Sequence, residues 1–112
     1  MSLKKGKYKI TLYNESVCAG CVELKKLLDD NDIPYIDKCI TVDDKLPPNE
    51  KLNNTNNRWE FIDFSNEHPK EFRFSPVLVI EDEEFNFEFL SSGYHFDKPE
   101  EALATIKEKY QE

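Results

Sequence analysis

Between Tyr8 and Val42 the chain reads as a strand, a helix and a second strand, and no other stretch narrows the choice of fold so far. Tyr8, Ile10 and Leu12 alternate with Lys9, Thr11 and Tyr13, the period of two that a β-strand requires. Asn14-Glu15-Ser16 breaks the run. From Cys21 the apolar residues Val22, Leu24, Leu27 and Leu28 recur at helical spacing, opposite Glu23, Lys25, Lys26 and Asp29. Asp30-Asn31-Asp32 stops that helix, and Ile33 to Val42 reads as the second strand, with Pro34 near its start, where a missing N–H does least harm. A strand, a helix and a strand in so few residues make a right-handed βαβ unit with parallel strands.

The junction of the first strand and the helix holds Cys18-Ala-Gly-Cys21. Two cysteines at this spacing on a helix N-terminus can close a small disulfide loop. Unpaired backbone N–H groups and the positive end of the helix dipole favour a thiolate at Cys18, which makes it the candidate nucleophile. Cys21, about one turn further in, is the candidate resolving thiol that attacks a mixed disulfide at Cys18. The same spacing supplies half of a zinc site, but such a site needs four ligands, and Cys39, His68 and His95 are scattered singly. Redox chemistry is therefore the first expectation, with a zinc half-site or an idle pair as the alternatives.

A chain of 112 residues is expected to form one domain over 1–112. No apolar run approaches the roughly 20 residues that span a bilayer, and Met1 to Lys7 lacks the apolar region of a secretory signal. A cytoplasmic location and no membrane partner are expected, and an odd number of cysteines, three, fits a reducing compartment with a working dithiol. Net charge is −8 with no basic stripe beyond the first nine residues, so nucleic acid is not an expected partner.

Further along, Cys39 reads as a small buried hydrophobe within the second strand. Asp43 to Asn57, with Pro47-Pro48 and many asparagines, reads as a loop insertion around 43–57. Trp59, Phe61, Ile62 and Phe64 fit a second helix, with a strand as the alternative, and Trp59 reads as core. Val77 to Ile80 follow Pro76 as a third strand, and from local sequence Ser75-Pro76 is trans. Glu81 to Glu84 make a hairpin turn into a fourth strand carrying Phe85, Phe87 and Phe89, which Ser91-Ser92-Gly93 ends. Asp97 reads as the N-cap of a last helix, with Pro99 in its first turn and Glu100 at N3, and Leu103, Ile106 and Tyr110 on its inner face.

This order, with a C-x-x-C after the first strand and an X-Pro opening the third, resembles the glutaredoxin branch of the thioredoxin fold over nearly the whole chain. Three stretches carry the resemblance: Tyr13 to Cys21, Arg73-Phe-Ser-Pro76 and Ser91-Ser-Gly93. It implies an α/β, thioredoxin-like fold: a four-stranded mixed sheet of order β2-β1-β3-β4 with three helices, in the sequence β-α-β-α-β-β-α. It also implies a cis bond at Ser75-Pro76 packed near Cys18. In a glutaredoxin-like chain Tyr13 flanks the dithiol, the Ser75 backbone pairs with a substrate peptide or glutathione, and the Ser92-Gly93 turn meets the γ-glutamyl end of glutathione. Arg58 and Arg73 are candidates for an anionic carboxylate.

Ala19 and Gly20 stand where the family commonly has proline and an aromatic, so redox poise and glutathione stacking are expected to differ from the family's norm. The expected activity is thiol-disulfide exchange on protein or glutathione mixed disulfides, with glutathione as co-substrate and no resident cofactor or metal. The alternatives are an electron donor for one protein such as a ribonucleotide reductase, served by thioredoxin reductase, and a non-catalytic metal- or partner-binding module.

Overall fold

A computed structural model describes residues 8–72 and 74–110. The elements are β1 (Tyr8–Asn14), α1 (Ala19–Asp30), β2 (Ile36–Cys39), α2 (Pro48–Glu67), β3 (Phe74–Asp82), β4 (Phe87–Ser92) and α3 (Pro99–Lys109). They form one mixed sheet of order β2-β1-β3-β4, with β1 parallel to β2 and antiparallel to β3, and β3 antiparallel to β4. The order of helices and strands and the strand order are those of the thioredoxin-like class.

The two residue sets that alternate along the central strands explain the layering. Ile10 and Leu12 of β1 and Leu78 and Ile80 of β3 face α1 and α3, where Leu24, Leu28, Ala102, Ile106 and Tyr110 complete a buried cluster. Tyr13, Val77 and Val79 project from the other face onto Phe61, Phe64 and Phe72. With both faces covered, the central strands are apolar almost throughout, which is what burial on two sides demands.

Several boundaries differ from the sequence expectation. The stretch 43–57 is loop only as far as Pro47, because α2 begins at Pro48, which occupies the first helical turn where its missing N–H costs nothing. Its asparagines hid the helix, since an element that touches the sheet through amide side chains shows no apolar period. Trp59 lies outside the core, 62% exposed on the outer side of α2, and the partly buried Phe61 and Phe64 pack against the core instead. β2 is shorter than expected and lies at the sheet edge, so Cys39 is half-buried rather than a core residue.

The connection between β3 and β4 is Glu83 to Asn86, two residues later than Glu81 to Glu84. Asp82 Oδ1 accepts the N–H groups of Glu84 and Asn86 at 2.8 and 2.9 Å, and Phe85 lies in the turn at φ 61° instead of opening the strand. The cap of α3 is also displaced by one residue. Lys98 is the N-cap, and the Glu101 carboxylate accepts the N–H groups of Asp97 and Lys98 at 2.8 and 3.1 Å, contacts that hold its carboxyl below the usual range. Among the described residues no helix is long and apolar enough to cross a membrane.

Candidate active site

β1 delivers the chain to the mouth of α1. Its last residue, Asn14, is buried, donates from Nδ2 to Asp37 Oδ1 at 2.7 Å, and accepts the Ile40 N–H on its carbonyl at 2.8 Å. Glu15, Ser16 and Val17 then run across the surface to Cys18, the N-cap of α1 in an extended conformation with φ −155°. Cys18 Sγ accepts the Cys21 N–H at 3.1 Å, and the Cys18 carbonyl accepts the Val22 N–H at 3.1 Å. A sulfur therefore takes the capping place that an oxygen usually fills. No acidic residue stands in the first turn of α1 to oppose the positive end of the helix.

Cys18 and Cys21 are joined as a disulfide, with Cα atoms 5.2 Å apart. The two sulfurs are unequal in access. Cys18 is half-buried, whereas Cys21 is 1% exposed on the inner face of the helix. A visiting sulfur reaches Cys18 first, and Cys21 can act only from inside.

The Ser75-Pro76 peptide is cis, and Pro76 is buried. A Cβ built on Gly20 would lie 3.7 Å from Pro76 Cδ, so the proline ring faces the dithiol loop with room for a methyl group between them. Two residues earlier on the same strand, the exposed Phe74 lies against Gly93, where an added Cβ would come within 2.6 Å of the ring. Gly93 has φ +80°, the left-handed conformation in which glycine has no side chain to strain. The dithiol loop, Ser75-Pro76 and Ser92-Gly93 thus follow one another across adjacent elements. Ser75 and Ser92 are half-buried, and Val17, Phe74 and Tyr94 form the exposed apolar members of this region.

Tyr13 does not join them. Its ring packs in the core against Phe61 and Phe64, and its hydroxyl donates to Glu60 Oε1 at 3.2 Å. Burial, with the Glu60 carboxylate beside it, raises the pKa of the phenol. Tyr13, expected as a substrate contact, is thus 2% exposed beneath the outer layer formed by α2. Arg58 is exposed on α2 and pairs with no described residue, and Arg73 lies outside the described residues. Among the described residues no group of three His, Cys, Asp or Glu side chains is placed to hold a metal ion.

His95 belongs to the site's frame, a role that neither its type nor its spacing announced. Its Nδ1 accepts the Ser91 N–H at 3.1 Å and lies 3.3 Å from Ser91 Oγ, so the neutral ring ties the turn on which Gly93 sits. Partial burial of a ring that is still partly exposed lowers its pKa below 6.5, with Glu71 acting in the opposite sense and Lys109 adding to the depression. A histidine depressed in the folded state binds its proton more readily when unfolded. Its contribution to stability is then complete above about pH 6.5 and is lost as pH falls through the folded value. Chemical denaturation between pH 7 and 5 is expected to show stability falling as the pH falls, and His95→Gln should flatten that decline; an unchanged slope in the variant refutes the role.

No protein-family model matches the chain, and no curated protein matches it. Among solved structures, the chain is similar to the pneumococcal exposed lipoprotein thioredoxin Etrx1 of Streptococcus pneumoniae strain TIGR4, at 15% sequence identity and a TM-score of 0.44, over 93% of this chain and 86% of that one.

Proposed function

We propose that the chain is a glutaredoxin-like thiol-disulfide oxidoreductase. The observation that carries this reading is the pairing of a half-buried Cys18 at the α1 N-cap with a buried Cys21, beside Pro76. In the reduced pair, the Cys18 thiolate attacks one sulfur of a substrate disulfide. A bond forms between Cys18 Sγ and that sulfur, and the other substrate sulfur leaves as a thiolate and takes up a proton. Cys21 then gives up its proton and attacks Cys18 Sγ, closing the Cys18–Cys21 disulfide and releasing the second substrate thiol. The substrate gains two electrons and two protons, and the protein dithiol loses them.

Two glutathione thiols, oxidised to glutathione disulfide, or a reductase such as thioredoxin reductase return the electrons. A cytoplasmic location would place the pair where both are kept reduced. The exposed apolar side chains of Val17, Phe74 and Tyr94 favour a disulfide carried by a protein, because a folded partner can cover them. Ser75, Ser92 and Gly93 are the positions at which a bound peptide or glutathione would meet backbone.

The test is a titration of the pair against mixtures of glutathione and glutathione disulfide, with thiols counted by alkylation in denaturant. Cys39 is the remaining cysteine, so the count is expected to move reversibly between one thiol and three. A count that does not respond to the glutathione ratio, after reduction of the pair by a stronger dithiol, refutes the reading.

A further inference from the structure

The proposed function leaves the asparagine-rich first half of α2 unused. Asn54 is the one buried residue of this 20-residue helix, at 6% exposure. A polar amide in that position is unfavourable unless it is hydrogen-bonded, so its partner identifies its role. Asn54 Nδ2 donates to the carbonyl of Thr41 at 2.8 Å, and one turn on, Asn57 Nδ2 donates to the carbonyl of Cys39 at 3.0 Å. β2 is the edge of the sheet, and the two amides supply donors where a further strand would otherwise supply N–H groups.

Thr41 passes this anchorage on. Its hydroxyl oxygen accepts the N–H of Ser16 at 3.0 Å, two residues before Cys18. No other hydrogen bond among the described residues holds the exposed loop from Glu15 to Val17. Among the described residues the loop's only polar fastening therefore runs from Ser16 through Thr41 to a buried side chain of α2.

We propose that Thr41 is a positioning residue for the dithiol: it pins the loop that presents Cys18, and so raises the effective concentration of Cys18 beside Cys21. The inference rests on the thiol-exchange reading and adds a control point from outside the C-x-x-C segment. Without the tether, the open dithiol gains freedom that the closed disulfide, itself a covalent restraint on the same loop, gains less of. Closure then becomes less favourable and the pair more oxidising.

The experiment measures the equilibrium constant for disulfide closure against glutathione for the full chain and three variants. Thr41→Val keeps the shape and removes the acceptor, and is expected to lower the constant roughly 2- to 10-fold, the range of one net hydrogen bond. Thr41→Ser keeps the hydroxyl and is expected to restore the constant. Thr55→Val removes a hydroxyl that bonds only within α2, to the Lys51 carbonyl at 2.7 Å, and is expected to leave it unchanged. A folded Thr41→Val protein with the parent constant overturns the proposal, as does an equal fall in Thr41→Val and Thr41→Ser. If the parent pair itself fails to exchange with glutathione, the thiol-exchange reading fails with it, and that outcome is distinct from a parent that exchanges and a valine variant that matches it.

Discussion

Replacing Cys18 with serine is expected to remove turnover in a glutathione-coupled disulfide reduction, by a factor on the order of 10³ or more. The size follows from the inequality of the two sulfurs. Cys21 is 1% exposed and sits behind the first turn of α1, so it cannot take over an attack on a visiting disulfide. A serine hydroxyl is un-ionised near neutral pH, and neither the helix dipole nor the Cys21 N–H that points at the Cys18 sulfur lowers its pKa far enough to matter. Cys21→Ser should behave differently: the first attack survives, and a mixed disulfide accumulates at Cys18. Mass spectrometry of each variant after exposure to glutathione disulfide separates the two. An adduct on Cys21 in the Cys18→Ser protein, with turnover retained, would reverse the assignment of roles.

Truncating Leu24 to alanine is expected to cost a large part of the stability of the domain. Leu24 is completely buried between the sheet and α3, in the cluster with Leu12, Leu28, Leu78 and Ile106. A buried Leu→Ala change costs about 2–5 kcal/mol, the transfer term plus the cavity it leaves. A domain holds about 5–15 kcal/mol in all, so the loss would be a large part of the total. Val22, two residues earlier and 63% exposed, is expected to change stability by no more than about 0.5 kcal/mol when made alanine. Urea denaturation gives the answer as a lower midpoint for Leu24→Ala at an unchanged slope. A loss below about 1 kcal/mol would mean that α1 is not seated on the sheet as described.

Much of the architecture was legible because its signals are local. The alternation in β1, the helical spacing of Leu24 and Leu28 and the apolar run from Val77 to Ile80 depend on which neighbours lie two or four residues away, and those relations survive in a linear string, although Val22, read as part of the same apolar face, is exposed. The placement of a cysteine pair at a helix mouth was legible for the same reason. α2 was legible only where it is aromatic. From Pro48 to Asn57 the helix meets the sheet through asparagine amides, and a polar contact face carries no hydrophobic period to detect. Trp59 was misplaced because its size favours burial in general, while the helix phase that turns Phe61 and Phe64 inward turns Trp59 outward.

Tyr13 shows why the remainder of the site needed three dimensions. Its place beside the dithiol in the sequence says nothing of which face of β1 it occupies relative to α2, and the fold puts it under that helix, on Glu60. Pro76 against Gly20, Phe74 against Gly93, and Thr41 under Ser16 are likewise contacts between segments far apart along the chain. Short-range chemistry along the backbone sufficed to specify strands, helices and a sulfur at an N-cap, because dihedral preference and capping act over a few residues. Which surfaces cover that sulfur, and which side chains hold its loop, depended on how the layers close over one another, since burial and long-range hydrogen bonds exist only after the chain has folded.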